Sequence, residues 1–352
     1  HLQFRGNEGQ VDLGECAAEA LTEDLFASVP PFRPAPDDAS VQKAIKILQK
    51  AARPIIVAGG GTRASGAGAE LLELAEKLSI PVATSLNAKD ILPSVHPLSA
   101  GVVGTYSREA ANQAVNEADL VCFIGTETGS MTTHFWAVPK IGSPAIQIDI
   151  EPESIGRNYP LQAAVQGDAK VTLARMIELS DASTAAARSS WVARIAELQG
   201  EWRAKHQAEL QSDAVPIRPE RLCQDLTDYL PDDTMVVVDT GHAGMWMGGM
   251  YDLRSADQNY MRSAGHLGWA FPASLGAKCA LPDRPVVCFT GDAGFWYHIA
   301  EIESAVRWKI NSVTIVNNNG AGNQSKRGFD RAYGGEQTEQ GKELWTFTKV
   351  NF

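Results

Sequence analysis

Residues Pro285–Asn323 read PVVCFTGDAGFWYHIAEIESAVRWKINSVTIVNNNGAGN. An apolar run over Pro285–Thr290 is typical of a buried strand, a helical stretch follows from about Trp296 to Trp308, and a second apolar run covers Val313–Val316. Two apolar runs joined by a helix of this length predict a βαβ unit, in which the strands are parallel. This unit places the sequence in the α/β class.

Polar residues follow both predicted strands. Gly291-Asp292-Ala293-Gly294 comes directly after the first strand, and Asn317-Asn318-Asn319-Gly320 comes after the second. Because ligands bind at the carboxyl ends of strands in open α/β sheets, one anionic and one neutral oxygen ligand can converge there. Carboxylate, amide and phosphate oxygens are the ligands of Mg²⁺ and Ca²⁺. The pattern therefore predicts a metal–phosphate site, although Gly and Asp also mark ordinary turns at strand ends.

The same segment resembles the diphosphate-anchoring motif of thiamine-diphosphate enzymes: Gly-Asp-Ala/Gly, a helix carrying a glutamate (here Glu301), a strand, and Asn-Asn. Asn319 lies 27 positions after Asp292, the usual spacing in that family, so Asn319 is a better ligand candidate than Asn318. Gly294 replaces a serine often found there, which implies the loss of one side-chain contact to phosphate. The resemblance implies that Mg²⁺ is bound by Asp292, Asn319 and Ala321. It implies that the cofactor is contacted by Gly291, Asp292, Ala293, Gly294 and Asn319.

Two earlier segments extend the resemblance. The turn Gly241–Trp246 (GHAGMW) follows a predicted strand, Met235–Asp239, as the family's diphosphate-binding turn does. Free N–H groups at a helix start favour an anion, and His242 is either a phosphate contact or an ordinary surface histidine.

The second segment, Ser263–Ala277 (SAGHLGWAFPASLGA), is similar to the family's S-x-G-x-[LMI]-G-x-x-x-P-A-x-x-G pattern. The resemblance implies that Leu267 is the bulky apolar residue that bends the cofactor. It also implies that the Gly265 carbonyl and the Leu267 N–H hold the aminopyrimidine ring. The cofactor-binding residues that it implies in the two segments are Gly241, His242, Ala243, Gly265, His266 and Leu267.

Upstream, strand-like runs alternate with helical stretches. The runs are Arg53–Ala58, Ile80–Thr84, Leu120–Ile124 and Ala145–Ile150. This alternation predicts a doubly wound parallel sheet. RPIIVAGGG (Arg53–Gly61), IPVATS (Ile80–Ser85), ADLVCFIG (Ala118–Gly125), IQIDIEPESIGRNYP (Ile146–Pro160) and GDA (Gly167–Ala169) resemble the family's middle domain in its acetolactate synthase branch.

Some members of the family hold FAD or another adenine nucleotide in this middle domain. The resemblance implies that such a site is lined by Gly59, Gly60, Thr84, Thr126, Asp149 and Asp168. However, Gly59-Gly60-Gly61 would serve equally well in a tight strand-to-helix turn without a ligand. The family's arginines after Gly125, which contact the flavin and the acceptor 2-oxo acid, are absent here, since the chain continues TETGSMTTHFW to Trp136.

The expected fold is α/β, with two doubly wound parallel-sheet domains: a Rossmann-like middle domain and a thiamine-diphosphate-binding fold. The predicted boundaries are residues 1–35 (tail of a preceding domain and a proline-rich linker), 36–180 (middle domain), 181–215 (helical linker) and 216–352 (diphosphate-binding domain, ending short). Both ends are interpreted as cuts inside a longer protein. The tail, Gln324–Phe352, is either a substrate-covering loop or a solvated linker.

The resemblance implies a thiamine-diphosphate- and Mg²⁺-dependent enzyme that decarboxylates or joins 2-oxo acids. A C–C bond lyase or hydrolase on the same scaffold, or a non-catalytic nucleotide-binding fragment, are the alternatives. In the family the activating glutamate belongs to the preceding domain, usually of a partner subunit. The catalytic residue is therefore left unassigned, Glu301 is not given that role, and a homodimer or homotetramer with its active site at the subunit interface is expected.

Composition excludes other classes of function. The net charge is −11 and no basic stripe occurs, which argues against nucleic acid. No signal peptide and no run of 18 apolar residues occurs, so no membrane association is expected. Five scattered cysteines without a CxxC pair predict reduced core thiols in a cytoplasmic protein. They are Cys16, Cys122, Cys223, Cys279 and Cys288.

Overall fold

The structure is a computed structural model that describes residues 23–263, 265–335, 337–348 and 350–352. It divides into two compact units, His1–Phe32 and Arg33–Phe352. In the first unit the described part contains one 3₁₀ turn, Asp24–Ala27. The strand predicted within His1–Gly9 lies outside the described residues. The following paragraphs concern the second unit, which contains every predicted site residue.

Ten strands among the described residues form two sheets, and every pairing within them is parallel. The first sheet has the order β3-β2-β1-β4-β5-β6 and the second has the order β10-β9-β7-β8. The strands are β1 Pro54–Ala58, β2 Val82–Thr84, β3 Ser99–Val102, β4 Leu120–Ile124, β5 Ala145–Asp149, β6 Leu161–Gln166, β7 Met235–Val238, β8 Asn259–Arg262, β9 Val286–Gly291 and β10 Val313–Asn317. The predicted fold class, two parallel α/β sheets, is confirmed.

The helices among the described residues are α1 Asp38–Lys50, α2 Gly60–Ala64, α3 Gly68–Leu78, α4 Glu109–Glu117, α5 Ala169–Leu179, α6 Ser189–Leu210, α7 Pro219–Tyr229, α8 His242–Gly249, α9 Ala270–Ala280, α10 Asp292–Tyr297, α11 Glu301–Arg307, α12 Asn323–Ala332 and α13 Glu339–Glu343. Helix α1 shows why such segments form. Asp37 caps it by accepting the Ser40 N–H at 2.8 Å, and its apolar residues recur on one buried face. None of the described helices is both long and apolar enough to span a bilayer.

Helix α6, predicted as a connector, covers one face of the first sheet. Its Trp191, Ile195, Leu198 and Trp202 are buried in one cluster with β1 and β4 side chains such as Phe123, as their spacing predicts. Burying an apolar side chain of this size contributes about 1.5–3 kcal/mol. This helix is therefore part of the layered structure around the sheet.

The second sheet carries the candidate site, and its central strands β7 and β9 are fully buried up to their carboxyl ends. Helices α7 and α8 cover one face through Cys223, Leu226 and Met247. Helix α9 covers the other face through Phe271 and Leu275, where Phe271 meets Phe295 of α10 edge to face. Both central strands are thus held firmly where their polar ends begin.

The single helix predicted over Trp296–Trp308 is wrong in its bounds, because two short helices, α10 and α11, occupy this segment. Helix α10 begins at Asp292 itself and ends at Tyr297. Gly268, with φ of 82°, packs directly against this end, since a Cβ on it would lie 2.8 Å from the Tyr297 Cβ. This close packing of the 265–268 loop coincides with the break between α10 and α11.

The cysteines within the described residues are free thiols. Cys122, Cys223 and Cys288 are buried, and Cys279 is exposed on α9. Burial raises the pKa of Cys122 to about 12, so its thiol is protonated at neutral pH. Cys16 lies outside the described residues.

Candidate functional site

A cleft of about 180 Å³, open to solvent, lies at the carboxyl ends of β7 and β9. At this edge the second sheet presents the backbone and polar groups that follow its two central strands. The lining residues are Asp239, Thr240, Gly241, His242, Ala243, Leu267, Gly291, Asp292, Ala293, Gly294, Asn317, Asn319, Ala321, Gly322, Asn323, Gln324 and Ser325. Most of the predicted cofactor and metal residues therefore meet in one place, although they come from segments up to 80 residues apart in the sequence.

Asp292 lies at the start of α10 and is 5% exposed. Its Oδ1 accepts the Ala293 N–H and its Oδ2 accepts the Gly320 N–H, both at 2.7 Å. A carboxylate has about four lone-pair positions, so these two bonds orient Asp292 and leave capacity on each oxygen. This residue is therefore oriented, but not saturated, as a metal ligand would be.

The asparagines at the end of β10 have different surroundings. Asn319 lines the cleft, and its Oδ1 accepts the Ala321 N–H at 3.1 Å. Asn318 instead donates from Nδ2 to the Val350 carbonyl at 3.2 Å and is not among the lining residues. This placement agrees with the choice of Asn319 over Asn318 as the ligand candidate. The role of Asn319 as a metal ligand stays a prediction. Asn317, the last residue of β10, also lines the cleft and was not predicted as a site residue.

The oxygen ligands available in the cleft suit a hard cation rather than a metal that is bound by cysteine or histidine. Within the described ranges, no group of three or more His, Cys, Asp or Glu residues is arranged to hold a metal. A cation in this cleft would instead combine the Asp292 carboxylate with neutral amide or carbonyl oxygens, such as those of Asn319 and Ala321. Oxygen-only ligation with few charges fits Mg²⁺ bound together with a phosphate.

The turn after β7 requires glycine. Gly241 has φ of 77° and caps α8, so the first N–H groups of that helix begin directly at the cleft. His242, the first residue of α8, lines the cleft. Burial and the nearby Arg327 charge lower the pKa of His242, so its ring is neutral at pH 7 and offers a hydrogen bond rather than a charge.

The segment Gly265–Leu267 contributes to the cleft only in part. Leu267 lines the cleft and is 48% exposed. Gly265 and His266 are exposed and are not among the lining residues, and the His266 Nδ1 lies 3.3 Å from the Ser263 Oγ. Leu267 therefore lies where an apolar contact to a bound ring is expected, whereas the structure brings Gly265 and His266 only to its border.

Asp239 is a site residue that was not predicted from the sequence. It is 1% exposed and accepts the Thr240 N–H at 2.8 Å, the Gly268 N–H at 3.1 Å and the Thr290 hydroxyl at 2.7 Å. One carboxylate thus joins the ends of β7 and β9 and the 265–268 loop. Burial raises the pKa of Asp239 and the three donors oppose that shift. The sequence feature that could have identified Asp239 is a carboxylate directly after a buried strand.

Gly294 has a local structural reason to be glycine. A Cβ at this position would overlap the Asp239 Oδ2. Asp239 therefore occupies the space beside Gly294, which the sequence comparison with the family's serine did not reveal. Whether a phosphate contact is lost here stays a prediction.

Two of the six residues predicted to line a nucleotide site in the first sheet, Gly59 and Asp168, have close protein partners. A Cβ on Gly59 would overlap the Gly125 carbonyl, and the Gly59 N–H donates to the Ile124 carbonyl at 2.8 Å. Asp168 is 2% exposed, pairs with Arg33 at 2.9 Å and caps α5. Gly59 thus allows two loops to touch, as expected for a tight strand-to-helix turn, and Asp168 pairs with Arg33 and the start of α5.

Comparison with known proteins agrees with this arrangement. Residues 41–176 match the family profile described as the thiamine pyrophosphate enzyme central domain, and residues 239–352 match the C-terminal TPP binding domain. Thiamine pyrophosphate is another name for thiamine diphosphate.

Several curated proteins are similar to the chain over most of its length. A probable acetolactate synthase large subunit of Methanocaldococcus jannaschii is 34% identical over 79% of this chain and 48% of its own length. An acetolactate synthase large subunit of Parasynechococcus marenigrum is 33% identical over 82% of this chain and 46% of its own. A glyoxylate carboligase of Escherichia coli O157:H7 is 31% identical over 95% of this chain and 58% of its own. The chain spans about half the length of the curated relatives it matches, and it belongs to the thiamine pyrophosphate enzyme family.

Proposed function

We propose that the protein is part of a thiamine-diphosphate- and Mg²⁺-dependent enzyme that decarboxylates a 2-oxo acid and joins the remaining fragment to an acceptor, as an acetolactate synthase or glyoxylate carboligase does. One observation carries the proposal: the oriented Asp292 shares a cleft with Gly241, Leu267 and Asn319. The similar proteins named as acetolactate synthase and glyoxylate carboligase support this class of reaction.

In this proposal Asp292, Asn319 and Ala321 hold the metal. A diphosphate beside the nearly buried Asp292 and Asp239 carboxylates would be repelled, and a divalent cation removes that repulsion. The N–H groups at the start of α8 bind phosphate oxygens, and Leu267 contacts the cofactor rings. When bound, thiamine diphosphate supplies the electron sink for breaking the bond next to the substrate carbonyl.

The proposal assigns no catalytic residue within this chain. We propose that the activating glutamate belongs to another part of a longer protein and that the working enzyme is a homodimer or homotetramer. Glu301, at the start of α11, is not among the residues that line the cleft. The proposal includes no flavin step, and the adenine nucleotide in the first sheet stays a prediction.

A C–C bond lyase or hydrolase is the second candidate. The segment after Gly125 contains no arginine that could bind the carboxylate of an acceptor 2-oxo acid. A reaction without such an acceptor would not need one. This candidate uses the same cofactor site and differs only in the fate of the fragment.

Calorimetric titration of the protein with thiamine diphosphate, with Mg²⁺ and with EDTA, tests the shared part of both candidates. Binding that requires Mg²⁺ is expected, and its absence would contradict both of them and favour a non-catalytic module. A product screen of the full-length enzyme with pyruvate, glyoxylate and other 2-oxo acids then separates them. Carboligation products support the first candidate, and single cleavage products support the second.

A further inference from the structure

Helix α8 lies directly on the backbone of a segment that precedes α4. A Cβ on Gly248 would lie 2.7 Å from the Tyr106 carbonyl oxygen, and a Cβ on Gly249 would lie 3.0 Å from the Ser107 carbonyl oxygen. Only glycine permits this approach without a shift of the neighbouring backbone. The carboxyl end of α8 is therefore fitted closely to the part of the chain that carries the first sheet.

Two buried cations reach the last carbonyl groups of α8 from that same part of the chain. The Lys89 Nζ donates to the Gly248 carbonyl and the Arg108 Nε donates to the Gly249 carbonyl, each at 3.1 Å. Both residues are 4% exposed. The last carbonyls of a helix lack partners within the helix, and positive charge is favourable at that end of its dipole. Lys89 and Arg108 satisfy both requirements.

Arg108 is itself fixed on every side. Its Nη2 donates to the Asp252 Oδ1 at 2.8 Å, its Nη1 donates to the Gln199 Oε1 at 3.2 Å, and its guanidinium lies 4.1 Å from the Trp202 ring centroid. The other oxygen of Asp252 accepts a hydrogen bond from Arg203 at 2.5 Å. Arg203 thus shares the carboxylate with Arg108, but its ion pair reaches no carbonyl of α8.

We propose that Arg108 and Lys89 are positioning residues for the cofactor cleft and act through α8. The inference rests on the proposed function, because α8 begins at the Gly241-His242 turn that would bind the diphosphate. A helix of eight residues is about 12 Å long and is stiff, so fixing its carboxyl end fixes the direction of its first N–H groups. The part of the chain that carries the first sheet then supports the cofactor site through these two cations.

The test compares Arg108→Gln and Lys89→Met with Arg203→Gln as a matched control. Arg203→Gln removes one of the two ion pairs of Asp252 and leaves α8 untouched. The affinity for thiamine diphosphate with Mg²⁺ is measured by calorimetry well below each variant's unfolding temperature. A loss of about five- to tenfold is expected for Arg108→Gln and Lys89→Met, and less than about twofold for Arg203→Gln. Equal losses in all three variants, or none in Arg108→Gln, would overturn the proposal.

Hydrogen exchange of the Met245–Met250 amides gives a readout that does not need the cofactor. Faster exchange is expected in Arg108→Gln but not in Arg203→Gln, and unchanged exchange in Arg108→Gln would contradict the inference. If the unaltered protein fails to bind thiamine diphosphate, the proposed function fails, while the exchange data still decide whether Arg108 and Lys89 fix α8. Should Arg108→Gln not fold, Arg108→Lys keeps a cation, loses the fork to Asp252 and Gln199, and is expected to show the same effects more weakly.

Discussion

The Gly320 N–H donates to the Asp292 Oδ2 at 2.7 Å. This bond joins the ends of β9 and β10, whose register pairs Gly291 with Asn317. The residue with the proposed metal-binding carboxylate and the segment with the candidate amide ligand are therefore held together by the protein alone. The 27-residue interval between Asp292 and Asn319 has a simple physical meaning: it spans the α10–α11 connection and returns to the neighbouring strand end.

Replacing Asp239 by alanine is expected to destabilise the second sheet. The change leaves the N–H groups of Thr240 and Gly268 without their acceptor and leaves the buried Thr290 hydroxyl only its longer bond, to the Gly291 carbonyl at 3.2 Å. Each unsatisfied buried donor costs about 1–3 kcal/mol, so we expect the free energy of unfolding in urea to fall by at least about 2 kcal/mol. Asp233→Ala, at an exposed residue before β7, is the control and should change it by less than about 0.5 kcal/mol. Similar values for both variants would contradict the role given to Asp239.

The stability of the protein should depend on the titration of Lys89 in mildly alkaline solution. Burial lowers the pKa of Lys89 from 10.5 to about 8, although the nearby Asp252 charge opposes this shift. The Arg108 charge also lowers the pKa of Lys89, and the Cys223 thiol raises it. The Tyr260 ring centroid lies 5.9 Å from the Lys89 Nζ. Between pH 8 and pH 10.5 the unfolded chain keeps the Lys89 proton and the folded chain does not. The free energy of unfolding therefore rises with pH in this range.

The measurement is urea unfolding of the unaltered protein and of Lys89→Met at several pH values from 7 to 10. The unaltered protein should gain stability relative to the variant as the pH rises through 8. A difference between the two proteins that stays constant with pH would show that Lys89 keeps an ordinary pKa in the folded state.

Acid should weaken the ion pairs of Asp252. Burial alone would raise the pKa of Asp252, but the charges of Arg108, Arg203 and Lys89 outweigh it and lower the pKa to about 2, below the ordinary value of 3.8. The stabilisation is complete above pH 3.8 and is lost as the pH falls towards 2. The destabilisation caused by Asp252→Asn, measured by urea unfolding, should therefore shrink between pH 5 and pH 2, and a constant destabilisation would contradict this assignment.

The strands and the cleft were predictable because their signals are local. The apolar run Val286–Gly291 is followed by Asp292 and the run Val313–Asn317 ends in Asn317, and parallel strands bring such ends to one edge. Arg108 and Asp252 were not predictable, since they meet across 144 residues through the packing of α8 against the Tyr106–Ser107 backbone. Likewise, the break between α10 and α11 coincides with the contact made by Gly268 in another loop, and no periodicity within residues 296–308 reveals that contact.

The most direct test of the central claim is calorimetric titration of thiamine diphosphate into the unaltered protein and into Asp292→Ala, each with Mg²⁺ and with EDTA. Asp283→Ala, at an exposed turn before β9, serves as the control. We expect Mg²⁺-dependent binding to the unaltered protein and to Asp283→Ala, and a loss of at least about a hundredfold in Asp292→Ala, since metal-site ligands and their close partners change affinity by this order. Equal Mg²⁺-dependent affinity in Asp292→Ala and the unaltered protein would contradict the assignment of the cleft as the cofactor and metal site.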